Sequence, residues 1–578
     1  MKLIEALEIV RRSGSAASSS RIFLACGITP LHLQTFLAAE LFLAEPSKRI
    51  EMRTGLFGDL AGNLERFNAD GVDHLAVALE WSDIDPRLGS RSLGGWRESQ
   101  MPSIVETSQM SLARLKHAIV AASAKVPTVV SPPSLPLPPM FTCPRTVMSS
   151  YEGQLRSAVA SFIEQLANEP GVSVVNAQYV DERSPLLSRY DLKAELSSGF
   201  PYSLQHAAVV GKAFADLIRL SAPKKGLITD LDDTLWKGIL GDDGIEGISW
   251  DLEHHSQIHG MYQQVLASLA SAGVLVAVAS KNDAPVVQEA FKKRNLLLSE
   301  GDIYPNEAHW GRKSESVARI LKTWNVGADS VVFVDDSPME LAEVRSAFPH
   351  LECIAFPKGD DQAVWEMLKR LRDLFGKSPA TEEDKLRATS IRQAESWREM
   401  GSFPEADADN FLKTADAHIT FHANAGSSDR RAFELVNKTN QFNLNGRRFS
   451  EGEWRELLKA PTAFLVTASY TDRFGPLGKI AVIAGRTSGR TMHIDTWVMS
   501  CRAFSRRIEQ QCLRHLFETF GADDIVFDYV PTPRNGPLRE FLVGLVESPL
   551  MPELRLSKSH FLAKMPPLFH VVEESVHV

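Results

Sequence analysis

Short apolar runs separated by helical spacing pattern the first 220 residues. Segments 22–25, 75–79, 128–130 and 172–175 predict buried strands. Between them, 112–122 and 154–166 repeat apolar residues at helical spacing. Strand–helix alternation predicts a parallel α/β layer fold. The proline-rich stretch 131–139, SPPSLPLPP, predicts a rigid surface loop after a strand.

A second α/β unit begins near Pro223. Apolar runs at 226–229, 274–279 and 330–334 predict strands, and 258–272, 284–294 and 313–324 predict helices. In open α/β sheets the ligand sits beyond the carboxyl ends of the strands, so polar residues closing these runs are candidate chemistry. The charged stretch 378–399, with Pro379 at its start and Pro404 beyond its end, predicts a helical linker. Beyond it, 463–469, 479–484, 491–497 and 524–529 predict strands and 503–520 a helix, the order of a mixed α+β domain. The expected domains are therefore 1–222, 223–377 and 401–578, joined by the linker 378–400.

Composition narrows the class. The 578 residues are 44% hydrophobic and 23% charged, which excludes a mainly disordered or fibrous chain. A net charge of −9 does not point to nucleic-acid binding. Five scattered cysteines without a CxxC pair argue against a disulfide scaffold and a structural zinc site, and a cytoplasmic location is expected. No uninterrupted apolar run is long enough to predict a membrane span, and the N-terminus reads as a short amphipathic helix rather than a signal peptide.

The sharpest chemical signal is Asp230-Leu231-Asp232-Asp233-Thr234 at a strand end. Ser280 closes the next buried strand, Lys313 opens a later helix, and Asp335-Asp336 close a third strand. Several carboxylates converging on one point repel unless a hard cation bridges them, and Mg²⁺ suits oxygen ligands and a phosphate. A carboxylate can serve as nucleophile, and a second acid as proton donor and acceptor. Lysine and a hydroxyl can hold the phosphoryl oxygens. The bare motif is equally compatible with solvated acids capping a helix; the rest of the set tips the reading toward phosphoryl transfer. Segment 236–260 has room for only a small lid, and an open site favours a phosphate on a larger or protein-tethered partner. Its His254, His255 and His259 read as exposed or locally bonded rather than as metal ligands.

This set resembles the haloacid dehalogenase superfamily of phosphotransferases over about residues 224–375. The resemblance implies Asp230 as nucleophile and metal ligand, and Asp232 as general acid/base with its backbone carbonyl on the metal. It also implies Ser280 and Lys313 as phosphate-binding, and Asp336 with Asp335 as the rest of a Mg²⁺ site; which of that pair binds directly stays open. The stretches TDLDDTLWKGILGDDG, ASKND, FVDDSPMELAEVR, ELVNKTNQFNLNGRRFS, DTWVMSCRAFSRRIE and VALEWSDIDPRLGSR extend the likeness to nearly the whole chain, to FkbH-like proteins. That resemblance implies a flavodoxin- or SGNH-like N-terminal layer fold, a Rossmannoid phosphatase domain and a GNAT-like α+β C-terminal domain. It also implies loading of a glyceryl unit from 1,3-bisphosphoglycerate, a small phosphorylated acyl donor, onto the thiol of an acyl carrier protein in polyketide-type biosynthesis, with no nucleic acid or membrane as partner.

Cys501 lies just before the expected helix, beside Arg502, Arg506 and Arg507, where cations favour a thiolate. A transient thioester and a buried packing cysteine are both open for it. Cys512 reads as packing, and Cys26 as core more than exposed strand edge. Asn437, Lys438, Thr439, Asn440, Gln441 and Asn443 form a polar cluster, read as an acyl- or pantetheine-binding site over a solvated loop. Arg447-Arg448 suit an acidic carrier or phosphate, or form a solvated pair. No glycine-rich loop precedes the C-terminal helix, which leans toward a carrier protein over acyl-CoA. The N-terminal Phe57-Gly58-Asp59-Leu60 lacks a serine after its aspartate, and His206 is read as a helical surface histidine over a relic base; that domain reads as a degenerate scaffold or docking module. The competing readings are a plain Mg²⁺-dependent phosphatase of a small metabolite and a non-catalytic carrier-docking protein.

Overall fold

The fold is that of a computed structural model, which describes residues 1–12, 18–219, 223–376, 409, 412–423, 429–439, 442–473, 475–500, 503, 506–532, 535–546 and 553–576. The expected linker 378–400, Cys501, Arg502, Asn440 and Gln441 lie outside the described residues. The chain divides into two compact units, one covering Met1–Ser221 and the other most of the chain beyond it. It is an α/β protein with two parallel sheets and one mixed sheet.

The first sheet holds Ser18–Cys26 (β1), Lys48–Thr54 (β2), His74–Ala78 (β3), Thr128–Ser131 (β4) and Val172–Val174 (β5). Its order is β2-β1-β3-β4-β5, parallel throughout. Alternate residues feed two cores. Leu75 and Val77 pack with Leu115 and Phe162 on one face, while Ile22, Leu24 and Ala76 pack with Phe36 and Phe214 on the other. Helices on both faces explain why β3 and β4 read as unbroken apolar runs.

The second sheet holds Gly226–Thr229 (β6), Leu275–Ser280 (β7), Ile303–Ala308 (β8), Val331–Asp335 (β9) and Glu352–Ala355 (β10). Its order is β10-β9-β6-β7-β8, again parallel. β6 is central and buried along its length. Gly226 is required there because a Cβ would come within 2.4 Å of the Trp324 ring. Trp324 ends helix Lys313–Trp324, so the fit of that helix against β6 also fixes where its first residue lies.

The third sheet is mixed. His418–Ala423 (β11), Phe442–Asn443 (β12), Ala463–Asp472 (β13), Gly475–Ser488 (β14), Thr491–Met499 (β15), Asp524–Asp528 (β16), Glu553–Ser557 (β17) and Val571–Val576 (β18) run in the order β17-β16-β15-β14-β13-β11-β18, with β12 paired to β15. β15 and β16 are parallel over Thr491–Ile494, after which β15 pairs with β12 at Val498 and Met499. Helix Ile508–Thr519 is shorter than the expected 503–520 and starts after Arg507, whose φ is +58°. Among the described residues no helix is long and apolar enough to cross a membrane.

Candidate phosphoryl-transfer site

The site is built at the carboxyl ends of β6, β7 and β9. Asp230 follows β6, Ser280 ends β7, Asp335 ends β9, and Lys313 opens its helix. Backbone pairing sets the depth: Asp230 N donates to Val334 O at 2.9 Å, which holds Asp230 level with the end of β9.

Lys313 is the hub. Its Nζ lies 2.8 Å from Asp230 Oδ2 and 2.5 Å from Asp335 Oδ2, and it also pairs with Glu340. Asp230, Asp335 and Lys313 are buried, the lysine side chain only 2% exposed, while Glu340 is partly exposed. Burial works against the Lys313 charge, but Asp230 and Asp335 outweigh it and hold the ammonium above its usual range. Burial likewise pushes the Asp230 carboxyl up, with Lys313 pulling the other way. Asp335 is pushed up to about 7, by burial first and by the adjacent Asp230 carboxylate second. Burial also acts on Glu340, yet the Lys281 and Lys313 ammoniums keep its carboxyl below the usual range.

Asp230, Asp335 and Glu340 present oxygens that all lie within 4.8 Å of one another. Asp230 Oδ1 is buried and has no hydrogen-bond partner among the described residues. An orphaned carboxylate oxygen in an all-oxygen donor set is what a hard divalent cation or an incoming phosphoryl group requires. The Lys313 ammonium already sits among the three carboxylates, so the fit to Mg²⁺ rests on the unpartnered Asp230 Oδ1, with the Asp335–Asp336 pair beside it.

Asp232 is held by three donors. Its Oδ1 accepts from Trp236 Nε1 at 3.0 Å and from Leu240 N at 3.1 Å, and its Oδ2 from Asn282 Nδ2 at 2.9 Å. Asn282 also donates to Ser280 Oγ at 3.1 Å, so one amide ties together two of the predicted site residues. Asp233 is left-handed, with φ +51°, and closes a turn by accepting from Gly238 N at 2.9 Å. Asp335 and Asp336 differ in surroundings. Asp335 Oδ1 accepts from Ser337 N at 2.8 Å, whereas Asp336 faces Thr234 Oγ1 at 3.5 Å and Lys358 at 2.6 Å.

Segment 236–260 is small, as expected. It carries the kinked helix Leu240–Gly247 and a bridge between Lys237 and Ser249. His254 pairs with Asp251 at 2.7 Å, and buried His259 bonds Thr234 O at 3.0 Å. Among the described residues, the group suited to a metal contains no histidine. Glu340, Asn282, Lys281 and Lys358 join the site without having been singled out in the sequence. Glu340 and Asn282 stand five residues after Asp335 and two after Ser280, so distance from the motif carboxylates and hydroxyl was the available signal.

Among the described members of the polar cluster of the third sheet, Asn437 and Asn443 are bonded to backbone and Asn443 alone is buried. Asn437 Nδ2 and Oδ1 bond Phe449 O and N at 3.1 and 2.9 Å. Asn443 is 2% exposed; it donates to Thr439 O and accepts from Gly446 N at 2.8 Å. Lys438 is half exposed and lies 3.5 Å from Glu434. Arg448 donates to Val436 O and Thr439 O, and Arg447 lies 4.5 Å over the Phe449 ring. Arg506 is buried 3.6 Å from Asp472, and Arg507 donates to Asp409 at 2.5 Å, so both already face a carboxylate. Cys512 is fully buried, and Cys26 is core, its thiol bonded to Ile28 O.

His206 departs from the expected surface position. It is 0% exposed, with Nε2 2.8 Å from Ser134 Oγ and Nδ1 3.0 Å from Ser184 Oγ. The reason is the helix face: Ala207, Val210 and Phe214 pack against the sheet and carry the ring inward with them. Asp59 caps helix Leu60–Glu65 by accepting from Gly62 N, which accounts for the Gly-Asp-Leu block.

No protein-family model and no curated relative matches the chain. Among solved structures it is similar to the N-terminal part of the protein BF1531 from Bacteroides fragilis, which contains a phosphatase domain complexed with Mg. That likeness has 20% identity and a TM-score of 0.52 and covers 65% of this chain and 99% of the other, so the fold is shared. An extracellular lipase from Streptomyces rimosus (11% identity, TM-score 0.26) and a phospholipase A1 from Streptomyces albidoflavus (13%, 0.26) each match 36% of this chain and 100% of their own. At those TM-scores the lipase likenesses carry no weight.

Proposed function

We propose that the chain is a Mg²⁺-dependent phosphatase coupled to acyl transfer, taking a small phosphorylated acyl donor and loading its acyl unit onto an acyl carrier protein. The observation that carries the phosphatase part is the group of buried Asp230 and Asp335 with partly exposed Glu340 around Lys313, with Asp230 Oδ1 left unpartnered. The phosphatase domain of similar fold holds Mg, which supports the same ion here. Asp230, the Asp232 carbonyl and the Asp335–Asp336 pair would hold it, and bound Mg²⁺ would offset charge on the phosphoryl oxygens.

The residues then divide the work. Asp230 attacks the phosphorus of the donor's phosphate ester, and the new O–P bond forms as the bond to the ester oxygen breaks; water then breaks the Asp230 O–P bond and releases phosphate, while the acyl phosphate is kept for the carrier thiol, which attacks its carbonyl carbon and expels inorganic phosphate. Asp232, fixed by Trp236, Leu240 and Asn282, delivers a proton to the ester oxygen and later takes one from the attacking water. Lys313 and Ser280 hold the phosphoryl oxygens. The carrier link, the glyceryl unit, the thioester role of Cys501 and a GNAT-like role for the third sheet rest on the FkbH-like sequence stretches alone. The plain phosphatase is favoured by one observation: every side chain of the described cluster comes from residues 230–340.

The test incubates the full chain with Mg²⁺, 1,3-bisphosphoglycerate and a phosphopantetheinylated carrier, reading intact masses of both proteins. A glyceryl adduct on the carrier is the expected result. Phosphate release without an adduct on either protein would overturn the transfer step and leave the plain phosphatase.

A further inference from the structure

Every N–H of the Lys313 ammonium is already taken. A lysine ammonium carries three donors. Around this one stand three carboxylate oxygens: Asp230 Oδ2 at 2.8 Å, Asp335 Oδ2 at 2.5 Å and Glu340 Oε2. To hold a phosphoryl oxygen, Lys313 must let go of one of them.

The three partners are not equal. The Asp335 side chain is 0% exposed, Asp230 9% and Glu340 12%, so Glu340 is the outermost. Among the described residues, Lys313 is the one ammonium paired with Asp230 or Asp335. Releasing either aspartate takes the counter-charge from a buried carboxylate, which is costly.

Glu340 stands differently. Its Oε1 pairs with Lys281 at 2.8 Å while its Oε2 faces Lys313, so one carboxylate bridges two ammoniums. The fold sets both ends of this bridge. Lys281 directly follows Ser280 at the end of β7, and Glu340 lies in the first turn of helix Pro338–Ala347, capped by Ser337. When Lys313 turns away from Glu340, Lys281 still balances the carboxylate. Glu340 is therefore the partner whose release costs least.

We propose that Glu340 is a positioning residue for Lys313: a stand-in anion that occupies the N–H given to the phosphoryl oxygen when substrate enters, with Lys281 holding Glu340 after the exchange. This inference rests on the phosphatase reading.

The test measures by calorimetry the dissociation constant of inorganic phosphate for the full chain with Mg²⁺, and that of Mg²⁺ alone. Glu340→Gln removes the competing charge and is expected to bind phosphate about tenfold more tightly, with Mg²⁺ affinity within about twofold of wild type. Lys281→Met leaves Glu340 to Lys313 alone and is expected to weaken phosphate binding about tenfold, and Lys281→Arg to restore it. In the Glu340→Gln background, Lys281→Met is expected to shift phosphate affinity by less than about twofold, because no anion remains for it to hold. A full tenfold loss in that background would make Lys281 a plain charge acting on phosphate and overturn the inference. Unchanged phosphate affinity in Glu340→Gln would overturn it too. So would a loss of Mg²⁺ affinity of about tenfold in that variant, which would make Glu340 a metal ligand. Phosphate release from 1,3-bisphosphoglycerate by the wild type keeps the phosphatase reading standing in each of these cases. A wild type that binds no phosphate overturns the inference, and one that also releases none overturns the phosphatase reading with it.

Discussion

Two buried carboxylates at the carboxyl ends of two parallel sheets have opposite surroundings. Glu80, after β3, accepts from Ser134 N at 3.1 Å, Ser134 Oγ at 2.7 Å, Leu135 N at 3.2 Å and Tyr202 OH at 2.8 Å. Every donor is neutral, and both oxygens are satisfied. Asp230, after β6, shares one ammonium with two other acids and keeps an oxygen with no partner. A carboxylate saturated by neutral donors ties loops together; one crowded by charge and left short of donors is held ready for a ligand. Position in the fold is the same, so satisfaction rather than burial separates a staple from a reactive group.

Removing the staple gives the largest structural effect. Glu80→Ala strands four donors, and the β3–β4 region is expected to lose about 3 kcal/mol. Hydrogen exchange at Leu75, Val77 and Val130 in the full chain reads this, while phosphate release stays within about twofold. A drop in phosphate release as large as that from a change at Asp230 would break the contrast.

A smaller effect sharpens it. Burial drives His206 down to about 3, so the folded protein favours the neutral ring. Between that value and the ordinary 6.5 the unfolded chain binds more protons. The stability is therefore full above the ordinary value and lost as pH falls toward the folded one. This amounts to about 2 kcal/mol between pH 7 and pH 5. Asp83, pushed up to about 7 mainly by burial, has the opposite sign: its contribution is lost as pH rises through that value. The two groups nearly offset each other in the wild type, so His206→Gln should make exchange protection in the first sheet rise more steeply as pH falls from 7 to 5 than it does in the wild type. A slope unchanged from the wild type would show that the ring does not set it.

The central strands were legible because both their faces are covered. β6 was found at its true bounds, and β9 to within one residue at each end. The missed strands are mainly edges or near-edges. β2 is KRIEMRT with exposed ends, β8 carries Pro305, and β10 pairs on one side only, so none presents an apolar run. Asp230, Ser280, Lys313 and Asp335 were legible for the same reason: each polar residue interrupts or follows a pattern tied to a buried element. Glu340, Asn282 and Lys358 were not, because a glutamate in a helix first turn, an asparagine in a loop and a lysine in a turn are ordinary surface residues. Only the packing of three strand ends brings them to one point. His206 shows the converse, a helical histidine whose inward face the sequence did not reveal.

The central claim is that Asp230 reacts. A single turnover in water labelled with heavy oxygen, followed by peptide mass analysis, tests it most directly. If Asp230 attacks phosphorus and water then releases the phosphate, label enters either the phosphate or the acid, according to which bond to oxygen the water breaks. Attack at phosphorus puts it in the phosphate, so the Asp230 carboxyl must also be caught while phosphorylated by acid quenching. The account predicts a phosphorylated peptide containing Asp230, absent in Asp230→Asn together with phosphate release. Labelled phosphate formed at an undiminished rate by Asp230→Asn, with no phosphorylated peptide in the wild type, would contradict it.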